Sequence, residues 1–233
     1  MTAPLAGSTA VVTGASRGIG HAIALRLAEA GAEVALWARD AAALRSVAAE
    51  IAQQGGRAQA MVCDVTDSAA VNSAADIVRR TMAPVRILVN NAGIAIRKPT
   101  VALGDAEWRS LMAVNVDGTF FVTRAFLTDL TRTGGRIINI ASIAGRQGTP
   151  LLAAYCTSKH AVVGLTRALA QELRAAKVCV NAICPGSVDT AMLRESMPGA
   201  RADMTPDDVA RTALFLAHEA PPALTGACID VFG

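Results

Sequence analysis

Apolar runs of strand length alternate with stretches of helical period from one end of this chain to the other, and no other feature restricts its fold as much. Thr9–Thr13 (TAVVT), Glu33–Trp37 (EVALW), Ala58–Cys63, Arg86–Asn90 (RILVN), Arg136–Ala141, Val178–Ile183 and Cys228–Val231 read as strands. Between the first two, Gly18–Ala30 carries an apolar stripe at Ile19, Ile23, Leu27 and Ala30, and Gly31 sits where a helix end favours a left-handed residue. Asp40 and Asp67 stand where helix caps belong, and Thr205-Pro206-Asp207-Asp208 reads as a capped start running to about His218. Longer helices are predicted over about Asp105–Leu130 and Ala154–Ala176, with Gly134 and Gly135 breaking the first. Strands alternating with helices imply a parallel sheet with right-handed crossovers. The strands are apolar throughout, as a sheet covered on both faces requires. No Gly-, Pro- or Ser-rich linker and no repeat interrupts the pattern, so residues 1–233 read as one α/β domain.

Composition narrows the class. The chain has 233 residues, and 52% are apolar, which is ample for a core. A net charge of +3, spread along the chain, argues against nucleic acid and against an anionic membrane surface. No apolar run approaches the roughly 20 residues that span a bilayer, and Met1–Ser8 lacks the build of a signal peptide. A cytoplasmic setting is expected. The five cysteines are odd in number and widely spaced, with no CxxC pair, and the three histidines sit far from any cysteine pair, so neither a disulfide framework nor a metal site is expected.

Thr13-Gly14-Ala15-Ser16-Arg17-Gly18-Ile19-Gly20 lies between the first strand and the first helix. Without Cβ atoms the backbone can turn sharply and approach a pyrophosphate, while the helix N-terminus offers free N–H groups and a partial positive charge. The spacing is G-x-x-x-G-x-G rather than G-x-G-x-x-G. With Asp64, Asn90-Asn91-Ala92-Gly93, Asn115, Ser142, Tyr155, Lys159 and Pro185-Gly186 following in order, the chain resembles the short-chain dehydrogenase/reductase family over nearly its whole length. The resemblance implies a Rossmann-like, doubly wound parallel sheet of about seven strands. It also implies a nicotinamide cofactor held by Gly14, Ser16, Arg17, Gly18, Ile19, Gly20, Arg39, Asp64, Val65, Asn91, Ala92, Gly93, Tyr155, Lys159, Pro185, Gly186, Val188 and Thr190. The implied catalytic set is Asn115, Ser142, Tyr155 and Lys159.

Those residue types suit proton transfer. Tyr155 and Lys159 are four apart on a predicted helix and share a face. A free phenol titrates near pH 10, and a nearby ammonium is expected to bring it down. Tyr155, the chain's one tyrosine, could then give a proton to a carbonyl oxygen in reduction or accept one in oxidation. Ser142 follows the fifth strand, at the sheet edge where open α/β folds bind ligands, and could hold the substrate oxygen. Asn115 falls inside a predicted helix, where its amide competes for backbone hydrogen bonds. In similar enzymes this position distorts the helix and holds a water that reaches the lysine.

The residue ending the second strand separates NAD from NADP, because a carboxylate there binds the ribose 2′-hydroxyl and repels a 2′-phosphate. Here Ala38 is followed by Arg39, and Arg17 adds a second guanidinium, so NADP(H) is expected. Asp40, one position further on, keeps NAD(H) open. Residues of about 187–204 form a short substrate lid, with Met192, Leu193 and Met197 placed either to cover an apolar substrate or to pack a short helix. Two substrate classes compete: a small or cyclic ketone with its secondary alcohol, and a 3-oxoacyl thioester. Carrier-protein reductases offer basic residues to the acidic carrier where this chain has Thr133 and Ala176, with Arg132 and Lys177 adjacent. A cofactor-sensing protein without chemistry is a third reading, and the intact Asn-Ser-Tyr-Lys set argues against it. The resemblance further implies a homotetramer packed through the two long helices, and transfer of the pro-S hydride.

Overall fold

A computed structural model describes residues 3–233, so the first two residues of the N-terminal stretch lie outside it. Seven strands form one parallel sheet in the order β3-β2-β1-β4-β5-β6-β7: β1 Thr9–Thr13, β2 Glu33–Ala38, β3 Arg57–Val62, β4 Val85–Asn90, β5 Arg136–Ile140, β6 Cys179–Pro185 and β7 Cys228–Val231. The strand order reverses between β1 and β4, and a crevice opens beyond the C-terminal ends of those two strands. The sheet is the doubly wound one expected.

Helices α1 (Gly18–Glu29), α2 (Ala41–Gln53) and α8 (Pro206–Leu214) cover one face, and Ile23, Leu27, Leu44, Ile51 and Val209 pack into one buried cluster with Ala10, Val12 and Leu36 of the strands. On the other face lie α3 (Ser68–Thr81), α5 (Gly118–Thr133) and α6 (Ala153–Glu172). There Trp37 and Phe126 meet with ring centroids 5.5 Å apart, among Val71, Leu88, Leu130 and Val180. Burial on both faces explains the continuous apolar strands, but β3 departs from the expectation. It is an edge strand whose Arg57 and Val62 are exposed, and among the described residues no strand pairs with its outer side.

Local chemistry sets the helix ends. Asp40 accepts from the N–H groups of Ala42 and Ala43 at 3.0 Å, and Asp67 accepts from Ala69 and Ala70 at 2.9 and 3.1 Å. Thr205 and Asp208 close a reciprocal box ahead of Pro206. Two long helices differ from the sequence reading. The span from Asp105 divides into α4 (Asp105–Met112), a π turn over Ala113–Asp117, and α5. The span from Ala153 stops at Glu172 and tightens into a 3₁₀ turn over Arg174–Ala176. The lid carries a short helix, α7 (Ala191–Ser196), which Thr190 caps by accepting from the Leu193 N–H at 3.2 Å.

Candidate active site

Most residues of the implied cofactor and catalytic sets fall at the C-terminal edge of the sheet. A cleft of about 470 Å³ runs along it, lined by Gly14, Ser16, Arg17, Gly18 and Ile19 on one side and by Arg39, Asp64, Val65, Asn91, Ala92 and Gly93 on the other. Gly14 has φ +63°, and a side chain at Gly20 would lie less than 3.0 Å from the Gly14 carbonyl oxygen and the Asn91 amide nitrogen. That crowding requires glycine. Unlike α2 and α3, α1 has no side-chain cap, and its first turn holds no acidic residue. Its leading N–H groups and partial positive charge therefore face the cleft, as a pyrophosphate needs. The residues present fit a dinucleotide.

Thr13 locks the floor of this cleft. Its hydroxyl oxygen accepts from the N–H groups of Asn91 and Ala92 at 2.9 and 3.0 Å, tying the end of β1 to the loop after β4. Asp64 is held by its own turn, accepting from the Thr66 N–H at 3.0 Å and the Thr66 hydroxyl at 2.8 Å. Those bonds, with help from the Arg39 charge, keep its carboxyl below the ordinary range. Arg39 is exposed at the cleft mouth, and Arg17 faces Glu195 of α7 at 4.0 Å.

A second cavity of about 300 Å³ adjoins the first and shares Asn91, Gly93, Thr190 and Met192 with it. Ser142, Tyr155 and Lys159 line it together, facing Pro185, Gly186 and Val188. Ser142 begins the 3₁₀ turn after β5, where its hydroxyl oxygen accepts from the Ala144 N–H at 3.1 Å. The next turn passes so near α6 that a side chain at Gly145 would meet the Lys159 backbone carbonyl at less than 3.0 Å. Lys159 is only 5% exposed. Its Nζ lies 5.7 Å from the centre of the Tyr155 ring and donates to the Ile140 carbonyl at 2.8 Å.

The electrostatics correct one expectation. Burial pushes the Tyr155 phenol above its ordinary value, and the facing Ser142 side chain pulls it only partly back. The cation expected to bring the phenol down is itself desolvated, and burial lowers the Lys159 ammonium to about 8. Its Nζ reaches toward the end of β5, and burial sets the direction of the phenol's shift. Below the pair, burial also pushes the Cys184 thiol up to about 11, so it is a packed thiol rather than a reactive one.

Asn115 stands behind the cavity wall, 1% exposed, within the π turn. Its Oδ1 accepts from the Ile94 N–H at 2.9 Å, and its Nδ2 donates to the Ile94 carbonyl at 3.0 Å and to Ser158 Oγ at 3.0 Å. The amide thus joins the loop after β4 to α6, one residue before Lys159. Its backbone carbonyl accepts from the Thr119 hydroxyl at 2.9 Å. Thr13, Gly145 and Ser158 are positional residues that the sequence reading missed. Their signals were weak, since a threonine ending a strand or a serine between two larger polar residues has many uses.

Among the described residues no cluster of His, Cys, Asp or Glu converges to hold a metal, and no helix is long and apolar enough to cross a membrane.

Comparison with known proteins shows the family of the chain. The family described as short chain dehydrogenase matches residues 8–200. Galactitol 2-dehydrogenase (L-tagatose-forming) of Cereibacter sphaeroides is 41% identical over 98% of this chain and 95% of its own. The 3-oxoacyl-[acyl-carrier-protein] reductase of Aquifex aeolicus is 35% identical over 100% of this chain and 99% of its own. A crystal structure from Beutenbergia cavernae, assigned as an NAD(P)-dependent gluconate 5-dehydrogenase and holding NADP at low occupancy, superposes with a TM-score of 0.90 at 41% identity, covering 99% of this chain and 97% of that one.

Proposed function

The chain belongs to the short-chain dehydrogenase family of oxidoreductases, and from that premise we propose that it moves a hydride between NADP(H) and a ketone or secondary alcohol, with Tyr155 handling the proton. The observation that carries this reading is the meeting of Ser142, Tyr155 and Lys159 in one cavity that opens into the dinucleotide cleft.

When bound, the nicotinamide supplies or takes the hydride. The chain's own residues do the rest. The Ser142 hydroxyl holds the substrate oxygen beside the phenol, and Tyr155 donates its proton to that oxygen in reduction or accepts it in oxidation. A raised phenol keeps the proton on Tyr155, the form needed to donate during reduction. Lys159 stands 5.7 Å from the centre of the Tyr155 ring, and an ammonium near 8 can lose and regain a proton close to neutral pH, so it serves as a proton reserve behind the phenol. Asn115 fixes the Ile94 loop against α6 and so positions Lys159. Thr190, Val188, Pro185 and Gly186 line the cavity and would hold the nicotinamide.

The NADP preference rests on Arg17 and Arg39 lining one cleft mouth. Two guanidinium groups there suit a 2′-phosphate. Asp40 also lines this cleft, and its Oδ1 is engaged in capping α2. The Beutenbergia cavernae relative, which carries NADP, supports the same choice. Acyl thioester reduction is the weaker reading, because Thr133 and Ala176 are uncharged and Arg132 is tied to Asp129 at 3.1 Å. Exposed Trp108 on α4 and Phe120 on α5 suit packing against further copies, in keeping with a homotetramer. The test is kcat/KM for one simple ketone with NADPH and with NADH. A higher value with NADPH is expected. A higher value with NADH overturns the cofactor assignment, and no turnover with either overturns the oxidoreductase reading.

A further inference from the structure

The cavity beyond Tyr155 has a one-sided chemistry. Beside Ser142 and Tyr155 its lining carries the apolar side chains of Ile143, Leu152, Met192, Leu193 and Met197. Two lid hydroxyls that could have met a polar substrate are turned to the lid's own backbone. Thr190 Oγ1 donates to the Val188 carbonyl at 3.3 Å while capping α7, and Ser196 Oγ donates to the Met192 carbonyl at 2.6 Å. That leaves Thr149 and Ser187 as the side-chain hydroxyls of the wall. Lys159 is the only cationic side chain in the lining, and its ammonium is spent on the Ile140 carbonyl. Arg194 pairs with Asp189 and does not line the cavity.

The backbone strengthens this wall at some cost. Thr149–Leu152 makes a turn closed by the Leu152 N–H on the Thr149 carbonyl at 3.2 Å, and Leu151 sits in it with φ +68°. A branched side chain rarely adopts that conformation. The Lys98 N–H holds the Leu151 carbonyl at 2.8 Å, and the turn delivers Leu152, 4% exposed, into the cavity.

Resting on the ketone reductase reading, we infer that the substrate is a compact, uncharged ketone with apolar flanks rather than a ketose, a sugar acid or a carrier-bound acyl chain. A volume of about 300 Å³ is at the small end for ligand pockets, and the nicotinamide would take part of it beside Pro185, Gly186, Val188 and Thr190, leaving room for one ring or a short chain. A ketose would bury several hydroxyls against methionine and leucine, and each one left unpaired weakens transition-state binding roughly ten- to hundredfold. A sugar acid would bury a carboxylate where no cation receives it. The chain therefore separates in specificity from relatives such as the galactitol 2-dehydrogenase while sharing their fold.

The experiment measures kcat/KM with NADPH for acetophenone, cyclohexanone, erythrulose, 5-ketogluconate and an acetoacetyl thioester, in the intact protein and in Met197→Gln. The intact protein is expected to favour the better apolar ketone over erythrulose and over 5-ketogluconate by at least a hundredfold. In Met197→Gln, which sets an amide on the wall, the preference over erythrulose is expected to fall at least tenfold while the NADPH Kd holds. A ketose, keto acid or thioester turned over within tenfold of the best ketone by the intact protein overturns the inference and leaves the oxidoreductase reading standing. So does an unchanged preference in a variant that binds NADPH normally. Failure of the intact protein to reduce any of the five, with NADPH bound, overturns both. The intact-protein panel decides the question even if the variant does not fold.

Discussion

Replacing Lys159 with methionine should change how stability depends on pH, by an amount the structure supplies. The side chain is 5% exposed, and burial lowers its ammonium from 10.5 to about 8. A folded value below the unfolded one means that the unfolded chain binds more protons throughout that window, so stability rises with pH there. Below about pH 8 both states hold the proton and the group carries its full desolvation cost. As pH rises, the folded state is relieved of the charge first. Between pH 7 and pH 9.5 that relief amounts to about 2 kcal/mol. In Lys159→Met no proton is bound, and the increment is absent. Paired urea melts at one fixed protein concentration without cofactor, at pH 7, 8, 8.75 and 9.5, measure it. The difference between the two proteins isolates Lys159, because groups common to both cancel. The intact protein should gain about 2 kcal/mol relative to the variant across the series, or roughly 4 °C or more in Tm. Parallel curves, or a gap moving the other way, would refute the claim that this ammonium is buried at a cost.

Three further outcomes follow from named contacts. Arg39→Ala should raise KM for NADPH by roughly ten- to hundredfold, the worth of a charge-assisted hydrogen bond, and leave KM for NADH within about threefold; steady-state kinetics with both cofactors checks it. Gly20→Ala forces a methyl to within 3.0 Å of the Gly14 carbonyl, so cofactor binding by fluorescence titration should be lost and stability should fall by about 1–3 kcal/mol. Asn115→Ala removes the partner of the half-buried N–H of Ile94 and of Ser158 Oγ and should cost about 1–3 kcal/mol in denaturant melts, with a fall in kcat larger than any change in the cofactor Kd.

Much of this architecture could be read from the chain, for physical reasons that differ by element. The central strands announce themselves because burial on both faces leaves them no polar positions, as in Val11, Val12, Leu88 and Val89. Asp40 and Asp67 mark helix starts because a carboxylate two or three residues ahead of free N–H groups has one good use. The glycine loop is legible because backbone contact between Gly14 and Gly20 forbids side chains. The π turn at Ala113–Asp117 was signalled by Asn115, but its extent depends on Ile94, which is distant in sequence. The exposure of β3 was hidden because strand order, not composition, makes it an edge. The direction of the Tyr155 shift was missed for a similar reason. Spacing puts Lys159 on the same helix face, but the direction is set by burial of the phenol, which depends on segments distant in sequence.

The measurement that bears most directly on the proposed chemistry is single-turnover reduction by Tyr155→Phe, with NADPH binding followed separately. Loss of the phenol's proton should lower the rate by about 10²–10⁴-fold, while the NADPH Kd stays within about twofold, since the ring and its packing remain. A variant that reduces ketone within tenfold of the intact protein would show that the proton comes from elsewhere.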